Sequence, residues 1–207
     1  MHEIIHEIIL ASQSVPRKLL LERLQCDFKI QPANIDESPL LNEHPLELVE
    51  RLSTSKARTV LASLSDSSKQ TKNHLIIASD QIAMVDNVIY GKPHNFDNAI
   101  EQLTKFSGKT IEFITGLCVI NQVGQQEQTI YTKEISKIKL KQLSHAQIKN
   151  YLLKDQPYQS AASIKIESLG IALTESISTP DFNAIIGLPL LKLIQILERL
   201  DIDILTI

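Results

Sequence analysis

Residues 8–24, IILASQSVPRKLLLERL, constrain the fold more than any other stretch of the chain. Four consecutive apolar residues, Ile8 to Ala11, predict a short buried strand. Ser12-Gln13-Ser14 break the run, and a helical pattern follows with Leu20, Leu21 and Leu24 apolar against Lys18, Glu22 and Arg23. Pro16 falls in the first helical turn, where its missing N–H costs nothing. Such a strand, polar loop and helix start aim free backbone N–H groups at one spot. That spot can hold an anion, and Arg17 adds a planar fork of donors suited to phosphate. A serine that simply caps the helix accounts for the same residues.

Composition narrows the partners. The chain has 207 residues, enough for a sizeable core, and a formal net charge of −3. That charge argues against a broad nucleic-acid or membrane footprint, so a bound anion must be held by a local cluster of cations. Cys26 and Cys118 form no CxxC pair and read as reduced core thiols of a cytoplasmic protein. No apolar run approaches the roughly 20 residues of a membrane span. Glu3 and Glu7 make the start of the chain unlike a secretory signal. Residues 2–6 spell HExxH, but zinc chemistry needs a supported helix and a third ligand. The HEII unit is repeated at 2–5 and 6–9, and residues 1–7 read as a disordered extension of one domain covering 1–207.

Further along, 26–30 look like a strand. The proline-framed loop that follows carries Asp36 and Glu37. These acids are either a solvated loop or ligands for Mg²⁺ or Mn²⁺. A helix is expected over 45–64, with Val49, Leu52 and Val60 on its apolar seam and Lys56 on the same seam. That lysine either snorkels to water or points its charge into a cleft. The strand 74–79 ends in Asp80-Gln81, where open α/β sheets place ligands, although a turn or helix cap would also explain the aspartate. A strand-like turn at 82–90 leads to Gly91-Lys92-Pro93, a rigid corner presenting Lys92. A helix over 96–106 buries Ala99, Leu103 and Phe106, and Ser107-Gly108 stop it. A strand over 110–122, a loop at 124–128 and an extended piece at 129–142 follow. Ser144 and Gln147 form a capping-box pattern before a helix over 146–153. The segment 160–174 holds Lys165, Glu167 and Gly170, 181–189 is rich in turns, and a helix over 189–200 closes the chain. The alternation predicts an α/β protein: an elongated, mixed β-sheet flanked by helices, in two lobes around a cleft.

LASQSVPRKLLLERL, IDESP, Lys56-Ala57, ASDQ at 78–81, GKP at 91–93, SG at 107–108, TG at 115–116 and IIGLPL at 185–190 occur in this order. Together they resemble the Maf family of nucleoside triphosphate pyrophosphatases, once described as septum-formation inhibitors. The resemblance implies an ITPase-like fold and hydrolysis of a nucleoside triphosphate to its monophosphate and pyrophosphate. It implies a divalent cation, Mg²⁺ or Mn²⁺, and a homodimer. It makes Asp80 the general base, and Arg17, Lys56 and Lys92 the cations around the phosphates, beside the Ser12–Ser14 loop. Glu37 matches the acid of the family's Asp-Glu pair, so metal would fall to Glu37 and Asp80. Gln81 matches a position tied to substrate choice.

SAASIKIESLGI at 160–171 resembles the branch acting on 7-methyl-GTP; the branch acting on dTTP and UTP carries Gln in place of Glu167. A carboxylate can accept from two N–H groups of guanine and favours the positive charge of a methylated ring. Glu167 could instead ligate metal or pair with Lys165. The sequence departs from the family at Pro16, where the 7-methylguanosine branch has Trp, and at Lys18, which cannot make a bidentate fork. The expected function is therefore a 7-methyl-GTP pyrophosphatase. A dTTP/UTP pyrophosphatase and a nucleotide-binding regulator of division are the alternatives.

Overall fold

A computed structural model describes residues 6–65 and 73–206. Strand β1 (His6–Leu10) runs parallel to β3 (Asn73–Val85), with Ile8, Ile9 and Leu10 opposite Leu75, Ile76 and Ile77. Both segments are buried, as continuous apolar runs in parallel strands require. The last rung is Ala11 N–H to the Ile77 carbonyl at 2.8 Å, after which the chain leaves β1 for the 12–14 loop. Helix α1 (Val15–Glu22) then begins with Pro16 in its first turn, as expected, and ends before Leu24. β1 starts two residues earlier than the apolar run suggested. Residues 1–5, and with them most of the HExxH pattern, lie outside the described residues; His6 begins a strand.

The strand expected over 26–30 shrinks to β2 (Lys29–Ile30), because only these two residues reach the positions opposite Ile9 and Leu10. Helix α2 (Pro45–Ser65) matches its predicted span. The larger correction is at β3, which is one strand of 13 residues. Its second half pairs antiparallel with β4 (Val88–Tyr90) around Asp86-Asn87, both with positive φ (50° and 65°). Two central residues with φ above zero match the twist of a tight hairpin. Asp80 therefore sits in mid-strand, three residues past the last one that pairs with β1.

Helix α3 (Phe96–Phe106) buries Ala99, Leu103 and Phe106, as the spacing predicts. Strand β5 (Thr110–Val123) and strand β6 (Gln126–Leu140) are joined by two residues, not by a five-residue loop. Helix α4 (His145–Asp155) carries the complete Ser144–Gln147 capping box. Short helix α5 (Gly170–Leu173), strand β7 (Thr174–Ser178), short helix α6 (Phe182–Ile186) and helix α7 (Leu190–Arg199) complete the chain. The strand order is β2-β1-β3-β5-β6-β7, with β4 also on β3.

Two compact units share these elements. The first takes the chain to residue 80, 115–133 and 187 onward; the second takes 81–114 and 134–186. In the first, Ile9, Ala11, Ile76 and Ala78 pack with Ala57, Val60 and Leu61 of α2 and with Cys118 and Ile120 of β5. In the second, α3 and α4 bury Leu103, Phe106, Ile148 and Leu152 against Ile111, Phe113, Ile138 and Leu140. Cys118 is buried, and desolvation pushes its thiol up to about 11; Cys26 is only half-buried, so the core expectation fails there. Among the described residues, no helix is long and apolar enough to cross a membrane.

Candidate functional site

In the first unit the 12–14 loop is tied together by its own side chains. The buried Ser12 Oγ accepts the Ser14 N–H at 3.1 Å and lies 3.5 Å from Arg17 Nη1. Ser14 is the N-cap of α1, its Oγ 3.5 Å from the Arg17 N–H. Arg17 itself is aimed from the far end of the sequence: its Nε donates to the Gly187 carbonyl at 2.9 Å. Ser79, fully buried on β3, has its Oγ 2.8 Å from that carbonyl and 2.7 Å from the carbonyl of Gly116. Gly187 has φ of +127°, a conformation that L side chains rarely adopt, and a Cβ there would stand 3.4 Å from Arg17 Nε. The other face of Arg17 is electrostatic. Burial pulls its pKa down, and the charges of Asp80 and Glu37 act against that.

Lys56 links those two acids. Its Nζ lies 2.5 Å from Asp80 Oδ1 and 2.8 Å from Glu37 Oε1. Lys56 is 7% exposed and Asp80 6%, so this lysine does not snorkel; it is a buried cation between carboxylates. Close approach of α2 to β5 sets its depth. A Cβ on Gly116 would lie 2.6 Å from Val49 Cγ1 and 3.1 Å from the Val49 carbonyl, so only glycine admits the helix here. Asp80 is neither a cap nor a turn residue. The acidic loop divides: Asp36 Oδ1 accepts the Ser38 N–H at 2.9 Å in the open, whereas Glu37 joins the cluster.

Two carboxylates converging on one point suit a hard cation. Among the described residues, no group of three or more His, Cys, Asp or Glu is placed to hold a metal. A cation taking Lys56's position would have Glu37 and Asp80 as protein ligands and would complete its shell from water and substrate oxygens. This is how Mg²⁺ is commonly held beside phosphates, so the donor set fits Mg²⁺ or Mn²⁺.

The second unit carries the remaining predicted residues. Gln81 Nε2 donates to the carbonyls of Ala184 and Ile185 at 2.9 and 3.0 Å, so its amide protons anchor α6. Lys92 is exposed on a corner braced by Asn98 Nδ2 on the Pro93 carbonyl at 2.9 Å. Glu167 is exposed at the tip of a tight turn, where Ser168 N–H and Gly170 N–H both reach the Lys165 carbonyl. A Cβ on Gly170 would come within 2.3 Å of that carbonyl. Lys165 Nζ donates to the Asp155 carbonyl at 2.7 Å, and among the described residues no ion pair joins it to Glu167. Pro16 is half-buried in α1, and Lys18 pairs with Glu22 on the solvent side of that helix at 3.4 Å.

Sequence reasoning missed Ser79 and the reasons for Gly187 and Gly116. The signal available was a lone serine inside an apolar strand, next to the aspartate already singled out.

The family model for Maf-like protein matches residues 7–200. A 7-methyl-GTP pyrophosphatase of Colwellia psychrerythraea is 46% identical over 198 residues, spanning 96% of this chain and 94% of that protein. A protein of the same name from Pseudoalteromonas translucida is 42% identical over 201 residues, spanning 97% and 95%. A third, from Nitrosococcus oceani, is 42% identical over 192 residues, spanning 93% and 92%. Among solved structures, the Ham1 protein of Staphylococcus aureus is 12% identical, with a TM-score of 0.42 over 65% of this chain and 71% of that one.

Proposed function

The chain belongs to the Maf-like family, and from that premise we propose that it is a nucleoside triphosphate pyrophosphatase acting on 7-methyl-GTP. The reaction is attack of water that breaks the bond between the α- and β-phosphates, releasing 7-methyl-GMP and pyrophosphate. The relatives that match nearly end to end carry that activity in their names. One structural observation supports the chemistry most directly: a buried base candidate, Asp80, held by Lys56 with Glu37 on the same ammonium.

In the free protein the single charge of Lys56 is shared between both carboxylates. An arriving triphosphate offers the ammonium a stronger partner, and the Asp80 carboxylate it leaves can then accept a proton from water. Arg17, fixed through Nε on Gly187 and with Nη1 on Ser12 Oγ, turns the N–H groups of Nη2 to phosphate oxygens. Glu37 and Asp80 would hold the divalent cation, which would offset charge on the departing pyrophosphate. Glu167 is the residue we assign to reading the purine edge. With no Trp in the chain and Pro16 at the stacking position, selectivity rests on hydrogen bonding and charge more than on an indole face.

The test is pyrophosphate release with Mg²⁺ or Mn²⁺ from 7-methyl-GTP, GTP, dTTP, UTP and CTP. We expect 7-methyl-GTP to be turned over best. Asp80→Asn should lose about 10²–10⁴-fold in rate while nucleotide still binds. A preference for dTTP and UTP would overturn the substrate assignment. Nucleotide binding without any turnover would make the protein a nucleotide-binding regulator.

A further inference from the structure

Glu37 lies in a stretch that burial does not hold: every residue from 36 to 42 is exposed, Leu41 at 93%. Polar tethers give it shape. Arg51, on α2, forks onto the Glu43 carboxylate with Nε to Oε1 at 2.6 Å and Nη2 to Oε2 at 2.8 Å. The same Nη2 donates to the Ser38 carbonyl at 3.0 Å. Glu43 Oε2 also accepts the Leu40 N–H at 2.9 Å, and the Ser38 N–H is taken by Asp36. The peptide unit after Ser38, one residue from Glu37, is thus gripped by a guanidinium whose own orientation is fixed bidentately. The clamp is also robust to acid, since the Arg51 hydrogen bonds hold the Glu43 carboxyl at about 2.

Arg51 and Lys56 stand five residues apart on one helix, about 7.5 Å along its axis. Lys56 grips Glu37 by its side chain, and in the reaction proposed above that grip is loosened when phosphate claims the ammonium. The Arg51 grip is made through backbone and does not compete with substrate. We propose that Arg51, oriented by Glu43, is a positioning residue for the reaction: it keeps the Glu37 carboxylate at Asp80 while Lys56 changes partners. This rests on the pyrophosphatase reading.

The test is a mutant cycle on the full chain, followed by single-turnover pyrophosphate release so that slow variants remain measurable. Arg51→Ala and Glu43→Gln should each slow the parent about tenfold, as loss of a supporting partner commonly does. In a Glu37→Gln background the same changes should cost less than about twofold, because residues acting through one group are not additive. Arg51→Lys keeps a charge and loses the fork, so it should fall between parent and Arg51→Ala, and it serves if the alanine variant fails to fold. Amide exchange supplies a readout apart from activity. Ser38 and Leu40 should exchange faster in the variants while Val49 and Leu52 on α2 keep their protection. Equal losses with and without Glu37 would overturn the proposal, as would faster loop exchange with an unchanged single-turnover rate. A parent chain that releases no pyrophosphate from any nucleotide would overturn the pyrophosphatase reading and this proposal with it; additive variants of an active parent overturn this proposal alone.

Discussion

Replacing Lys56 by Met tests how the central cluster is held in the resting protein. Methionine keeps the length and apolar stem and removes the charge. Asp80, 6% exposed, would then be a buried carboxylate without the ammonium that lies 2.5 Å away. Breaking a buried pair by removing one partner costs about 3–5 kcal/mol, since the other charge stays desolvated. Glu37, with 58% of its side chain exposed, adds little, because water takes over from the lost ion pair. For a chain of this size each kcal/mol lowers Tm by about 2–4 °C, so the expected fall is about 6–20 °C. Asp80→Asn should cost less, about 1–3 kcal/mol, because Lys56 keeps Glu37 as a counter-charge. The double variant should be more stable than the sum of the two losses. With no Trp in the chain, the melt is read by far-UV circular dichroism without nucleotide or metal. A Lys56→Met chain that melts within about 2 °C of the parent, or above Asp80→Asn, would mean that Lys56 is solvated and that the buried-pair argument is wrong.

Gly187→Ala forces a side chain into a φ of +127°, which strains the backbone whose carbonyl holds Arg17 Nε. It should destabilise by about 1–3 kcal/mol and raise KM for nucleotide more than it lowers kcat, as steady-state kinetics would show. Gly116→Val drives new atoms into Val49, so about 1–3 kcal/mol of stability should be lost in thermal melts, with partial recovery on adding Val49→Ala. Glu43 gives a pH prediction. Its folded value of about 2 lies below the ordinary 4.5, so its contribution to stability is present above pH 4.5 and is lost as pH falls towards 2. Parent and Glu43→Gln melting temperatures should therefore differ at neutral pH and converge in acid; a constant difference would refute the Arg51 clamp as the cause.

Local grammar was legible in the sequence. Helix α3 and its buried face followed from spacing, and the capping box from Ser144 and Gln147, because each depends on residues three or four apart. Asp80 drew attention as an acid at the carboxyl end of an apolar strand, although it lies in mid-strand. The course of β3 beyond Asp80 was not legible, because 82–90 reads equally as a turn until β4 pairs with it. The aim of Arg17 was hidden for a different reason. Its acceptor, Gly187, is 170 residues away in the chain, and no local pattern specifies such a contact. Lys56 showed only that a charge lay on an apolar seam. Its burial depends on Gly116 admitting α2, and pairwise packing of that kind is decided in three dimensions.

The two ends of the sheet have a bearing on colloidal behaviour. One is β2, with two residues available for pairing, and the other is β7, five residues long and mostly exposed; β4, three residues long and uncharged, is a further edge beside β3. Free strand edges template intermolecular hydrogen bonding, and short edges bearing charge offer poor templates. Lys29 on the first edge is paired with Glu7, and Glu175 lies exposed on the second, so an incoming strand would meet few backbone groups and would have to desolvate charge to reach them. Strand addition at these two ends should accordingly be disfavoured, and copies that meet there should associate through side-chain surfaces instead of by lengthening the sheet.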